Sequence, residues 1–187
     1  MTGPTRARDV QLLDAIDALE PSAFQGSVWR VVREGRNPLA GSAVGGRWDD
    51  RSFDVLYTSQ MPAGAISEVY FHLTRGQPII PSRVRYKLYE IHVELESCLQ
   101  LPTMQDLADL GLRVDLYGQL SYEEKIQEYP RSQEIAEVAY FLGRDGLLVP
   151  SARHSAANLI LFSEHVPPDK LAAVRDHGFV NWEDRHK

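Results

Sequence analysis

Apolar residues at Val10, Leu13, Ile16 and Leu19 recur at helical spacing, and Glu20-Pro21 closes the stretch, so residues 10–19 are expected to form a short amphipathic helix. The pattern then changes. Ser-Val-Trp-Arg-Val-Val at 27–32 is β-branched and aromatic, which predicts a strand. Residues 33–48 hold five glycines or prolines and read as a loop, long for a compact domain and therefore a place to look for function. A second short strand is expected at 55–59. Met61-Pro62 then opens a helix with proline in its first turn, running to about Thr74 and closed by Arg75-Gly76.

Further on, Val84, Tyr86, Leu88 and Glu90 alternate, after which the phase slips to Ile91, Val93 and Leu95. The slip predicts two paired pieces or a bulge. A short helix with a threonine cap is expected at 103–110, ended by Gly111. Residues 117–128 are polar and expected to be exposed. Ile135, Val138, Ala139 and Leu142 share one face, predicting a helix over 130–142. Leu147-Leu148-Val149 and residues 158–162 read as buried strands, and 167–176 as a final helix.

These elements fit one α+β domain spanning 1–187, with its core at about 28–162 and a helix appended at each end. A 43% hydrophobic fraction over 187 residues suffices for a full core. The formal net charge of −6 argues against direct nucleic-acid binding by the surface as a whole. Met1 to Asp9 carries no apolar run, so no secretory signal is expected, and nothing approaches a membrane span. The default location is cytoplasmic. The single cysteine, Cys98, excludes an intrachain disulfide and reads as a small buried hydrophobe. His72, His92, His154 and His165 show no metal-ligand spacing, so no metal is expected.

The candidate chemistry gathers between 30 and 68. Arg30 sits mid-strand, where a charge must reach solvent or a partner. Arg47 follows Gly45-Gly46, whose backbone is free to approach a ligand, and its guanidinium suits phosphate. Tyr57 lies in a strand as a ring platform or a hydrogen-bonding phenol. Glu68 lies on a helix, placed either to pair with His72 or to face a cleft and stabilise developing positive charge. There is no Walker motif, no Gly-x-Gly-x-x-Gly and no Gly-x-Ser-x-Gly. A nucleotide would therefore be a consumed substrate rather than a Rossmann-bound cofactor.

Trp29-Arg30, Gly45-Gly46-Arg47-Trp48, Leu56-Tyr57-Thr58-Ser59, Ala65-Ile66-Ser67-Glu68, Ser132-Gln133, the run from Gly146 to Arg153, and Asn158 to Phe162 follow one another in a fixed order. In that ordered set the chain resembles the RES-domain proteins, toxins of bacterial toxin–antitoxin pairs that consume NAD. The resemblance implies a mixed, split sheet flanked by helices, as in ADP-ribosyltransferases. It implies cleavage of the nicotinamide–ribose bond of NAD, with inorganic phosphate (a phosphorylase) or water (a glycohydrolase) as acceptor. A protein ADP-ribosyltransferase and a non-catalytic NAD-binding module are the alternatives.

Carried onto this sequence, Glu68, Tyr57 and Arg30 are expected to be catalytic and Arg47 to bind the diphosphate. Ser132 or Ser151 would orient the carboxamide. NAD would be the substrate, no cofactor would be retained, and an antitoxin protein would cover the cleft.

Overall fold

The computed structural model describes residues 8–75, 83–119, 122–171 and 173–187. The first helix, α1 (Val10–Asp17), starts where the Asp9 carboxylate accepts hydrogen bonds from the amides of Gln11 and Leu12. It buries Leu12 and Ile16 against α4. The strand expected at 27–32 is longer: β1 covers Ser22–Arg33. After the long loop, β2 (Val55–Ser59) leads directly into α2 (Pro62–Thr74). Gly76, half of its expected stop signal, lies outside the described residues.

The phase slip after Glu90 is not a break. One strand, β3 (Tyr86–Gln100), runs through it. The irregularity appears instead in its pairings, between Lys87 and Tyr89 and opposite Ser22 and Phe24 of β1. Next comes α3 (Met104–Asp109), capped reciprocally by Thr103 and Asp106, and Gly111 follows with φ +80°. The strands β4 (Gly146–Pro150) and β5 (Ala157–Phe162) are almost wholly buried.

Two expectations are corrected. Within 117–128, expected to be polar and exposed, Tyr117 is half-buried and Glu128 is 1% exposed, and α4 runs Tyr122–Phe141 straight through Pro130. Proline predicts a boundary because it lacks an N–H and crowds the preceding turn. Here packing on both sides outweighs that cost. Glu128 is held at the site described below, and Ile135, Val138 and Ala139 lie in the core. The C-terminal helix is also absent. Residues Pro168–Leu171 form only a 3-10 turn, and β6 (Ala173–Phe179) follows as a strand on the edge of β3. Val174 and Phe179 stay exposed, so burial periodicity could not mark this edge strand in the sequence.

The sheet is mixed. Its order is β1-β2-β5-β4-β3-β6, with β1 also paired along β3. Among the described residues, β3 and β4 are the one parallel pair. The long β3 makes this possible: β1 occupies one of its edges, while β6 and β4 share the other at different heights. Hydrogen bonding therefore runs in a circuit, β1-β2-β5-β4-β3 and back to β1. Side chains on its two surfaces form separate clusters, one around Phe162, Leu99 and Ile135, the other around Ile91, Leu159 and Leu161. Burying each such side chain contributes about 1.5–3 kcal/mol. That framework fixes the ends of β1, β2 and β5 beside α2, and a cleft opens there.

Candidate active site

The cleft has a volume of about 390 Å³. Ala65, Glu68, Val69 and His72 of α2 line one wall at spacings of three and four, a helical stripe. The opposite faces come from β1, from residues 44–48, and from the turn between β4 and β5.

The glycine turn is held from within. The Asp49 carboxylate, 0% exposed, accepts hydrogen bonds from the amides of Gly45 (2.6 Å) and Gly46 (2.8 Å). Tyr57 donates its phenolic proton to the same carboxylate at 3.0 Å and accepts from the Trp48 amide at 3.0 Å. Gly45 has φ +84°, which requires glycine, and a Cβ at Gly46 would stand 2.5 Å from Tyr57 Oη. Burial first, and then Asp49, hold the Tyr57 phenol protonated well above the ordinary tyrosine range. Its hydroxyl is thus engaged inside the protein, and its ring is what the cleft meets.

Arg47 forms a close ion pair with Glu128, the two side chains being 10% and 0% exposed. Its guanidinium also lies over the Tyr117 ring at 4.3 Å and near Tyr129. Burial works against its charge, but Tyr117, Glu128, Tyr129 and Glu68 outweigh it and raise its pKa. Tyr117, expected on the surface, donates to the Pro150 carbonyl at 2.6 Å. Arg30 lines the cleft and donates from one nitrogen to the carbonyls of Pro38 (2.6 Å) and Ala40 (2.9 Å). Burial without an anionic partner lowers its pKa to about 10.

Glu68 faces the cleft, and its Oε1 accepts from Ser151 Oγ (2.7 Å) and Asn158 Nδ2 (2.9 Å). One carboxylate oxygen is thereby fixed, leaving Oε2 for other contacts.

The two candidate serines are separated by the structure. Neither is part of the cleft wall, and each acts on a residue that is. Ser151 holds Glu68. Ser132, 0% exposed, donates to the backbone carbonyl of Arg47 at 2.6 Å, while Gln133 donates to the carbonyls of Gly46 and Asp49. Ser132 and Gln133 therefore brace the Arg47 loop from behind.

Sequence reasoning missed Asp49, Glu128, Asn158 and Arg153. Asp49 carries a usable signal, a carboxylate a few residues beyond two glycines. Glu128 carries none, because its burial arises from the continuation of α4 through Pro130. Among the described residues, no three His, Cys, Asp or Glu side chains gather as a metal site, and no helix is long and apolar enough to cross a membrane.

Comparison with known proteins adds three findings. The sequence model of the RES domain matches residues 27–183. No curated protein matches the chain. Among solved structures, the fold resembles a chain in the crystal structure of the M. tuberculosis MbcT-MbcA toxin-antitoxin complex. The TM-score is 0.79 at 23% identity, over 97% of this chain and 100% of that one.

Proposed function

This chain belongs to the RES domain family, and from that premise we propose that its cleft cleaves the nicotinamide–ribose bond of NAD, with phosphate or water as acceptor. One observation carries the reading. A carboxylate with one oxygen fixed by two donors, Glu68, stands on the wall of a cleft that also holds Arg30, Arg47 and Arg153. The guanidiniums suit a dinucleotide's diphosphate.

In the reaction the bond between the ribose C1′ and the ring nitrogen breaks, and nicotinamide leaves with the electron pair. The sugar passes through an oxocarbenium-like state, and an oxygen of phosphate, or of water with loss of one proton to solvent, then bonds to C1′. Glu68 stabilises that cation because its charge is preorganised in a partly desolvated place. The fixed Oε1 leaves Oε2 as the oxygen turned to the sugar. Arg47 and Arg30 bind the diphosphate. The Tyr57 ring forms the surface against which the nicotinamide or its ribose rests.

An enzyme that drains NAD must be restrained. We place this chain in a toxin–antitoxin pair in the cytoplasm, with an antitoxin protein covering the cleft. The likeness of its fold to a chain of the MbcT-MbcA complex supports that reading.

The test is incubation of the purified chain, freed of any partner, with NAD in the presence and absence of phosphate, with products read by mass spectrometry. Nicotinamide with ADP-ribose phosphate means phosphorolysis, and nicotinamide with free ADP-ribose means hydrolysis. Intact NAD under both conditions overturns the reading.

A further inference from the structure

The turn between β4 and β5 carries a cation that the site leaves without an anion. Arg153 lines the cleft, and its guanidinium carbon stands over the ring of Phe71, 3.5 Å from the ring centre. That contact holds the guanidinium by its face, and an arginine held so can still offer its N–H groups to a ligand. Its Nη2 is buried without a hydrogen-bond partner. No carboxylate among the described residues forms an ion pair with it, whereas Arg47 has Glu128. The backbone beneath it is set: Ser151 Oγ accepts from the amides of Arg153 (3.0 Å) and His154 (3.1 Å).

The environment does not compensate the charge. Burial lowers the Arg153 pKa, Glu68 counters it, and Arg47 adds repulsion. Across the site, Arg30, Arg47 and Arg153 stand with three carboxylates, Glu68, Glu128 and the internally bonded Asp49, and of the three cations Arg47 is the one with an ion-pair partner among the described residues. A buried guanidinium donor without an acceptor is costly, and none of the described residues supplies one to Nη2. The planar fork, its unpaired donor and the neighbouring Arg47 suit an oxyanion such as a phosphoryl group.

We propose that Arg153 anchors a phosphoryl subsite in the cleft beside Glu68, taking the oxyanion of inorganic phosphate or of a nucleotide's diphosphate. It rests on the NAD reading only for these two sources; the subsite itself stands on the guanidinium and its surroundings. If the source is inorganic phosphate, the subsite places the acceptor oxygen next to the residue that stabilises the sugar cation.

The experiment measures binding, not turnover. Inorganic phosphate and ADP-ribose are titrated separately into the wild-type chain and into Arg153→Gln by calorimetry, with potassium chloride at matched ionic strength as control. Thermal melts of both proteins with and without each ligand run alongside. The wild type is expected to bind and Arg153→Gln to bind about 10- to 100-fold more weakly, the loss of a charge-assisted contact. Arg153→Lys keeps the charge without the fork. It should recover part of the affinity, and it serves if Arg153→Gln melts early.

Loss confined to inorganic phosphate makes the subsite the acceptor's, and loss confined to ADP-ribose makes it the diphosphate's. Wild-type affinity for both ligands in Arg153→Gln overturns the proposal, as does failure of the wild type to bind either. A chain that binds phosphate through Arg153 yet leaves NAD intact keeps the subsite and loses the NAD reading.

Discussion

Ser151 donates its hydroxyl proton to Glu68 across 2.7 Å, and the same oxygen accepts the amides of Arg153 and His154. One side chain thus ties the turn after β4 to the carboxylate on α2. Ser151→Ala removes a charge-assisted bond, a change of about 1.5–3 kcal/mol, so kcat for NAD cleavage should fall about 10- to 100-fold. KM should move little, because Ser151 does not line the cleft. Steady-state kinetics check this, with the melting temperature measured alongside. An unchanged kcat removes the positioning role, and a KM-only effect places Ser151 on the substrate instead.

Glu68→Gln should lose far more turnover than binding. The amide keeps the shape and removes the charge that matters in the transition state. The expected fall in kcat is about 100- to 1,000-fold. Affinity for ADP-ribose should stay near wild type in calorimetry. A variant with wild-type kcat removes Glu68 from the mechanism.

Glu68 and Arg47 were legible in the sequence because each sits in a short local signal, a helical stripe and a glycine turn. The helices α1, α2 and α3 and the buried strands were legible for the same reason, since period and caps act within a few residues. What was illegible depends on distant contacts. Glu128 looks like one more surface glutamate until α4 carries it beneath Arg47. Ser132 and Ser151 are alike as residue types, and only their partners, the Arg47 carbonyl and Glu68, give them different tasks. β6 lacked a signal because an edge strand buries little, and its pairing is set by β3 rather than by its own side chains.

Gly46 leaves no room for a side chain. A Cβ there would stand 2.5 Å from Tyr57 Oη and 2.9 Å from Asp49 Oδ2, two groups that bond each other and the loop amides. Gly46→Ala must therefore move the loop or break that network. Breaking it leaves buried polar groups unpaired, at a cost of about 1–3 kcal/mol each. The variant should melt at lower temperature and lose affinity for ADP-ribose, since Arg47 moves with the loop. Wild-type melting and binding would show that the loop accommodates the methyl group.

Cys98 should be chemically silent in the folded chain. It is fully buried, and burial pushes its thiol from 9.0 to about 12. An aromatic disulfide reagent at pH 8 should react only after urea is added. The sign of the pH dependence follows. Between about 9 and 12 the unfolded chain ionises its thiol while the folded chain does not, so stability falls as pH rises through that window. Cys98→Ala should flatten this part of the profile in melts. Rapid labelling of the native protein would place the thiol within reach of solvent.

Glu128 is the carboxylate that pairs with Arg47, and under the proposed function a diphosphate would compete with it for the same guanidinium. Burial raises the Glu128 carboxyl above its ordinary range, against the pull of Arg47 and the Gly118 amide. A raised folded pKa means that the folded chain takes up this proton more readily than the unfolded one. The stabilising contribution is therefore complete below the ordinary carboxylate value and is lost as pH rises through the raised one. In that same window, acidification releases Arg47, so affinity for ADP-ribose should increase as pH falls. Glu128→Gln makes the release permanent. It should bind ADP-ribose more tightly than wild type at pH 7 and lose the pH dependence. By the same sign it should melt no lower than wild type at pH 7 without ligand, because the amide stands in for the protonated acid that the folded chain favours. Calorimetric titrations across the acidic range, with melts of the free proteins, measure both effects. If Glu128→Gln binds ADP-ribose no better than wild type while melting earlier, Glu128 only supports the fold, and Arg47 does not carry the diphosphate.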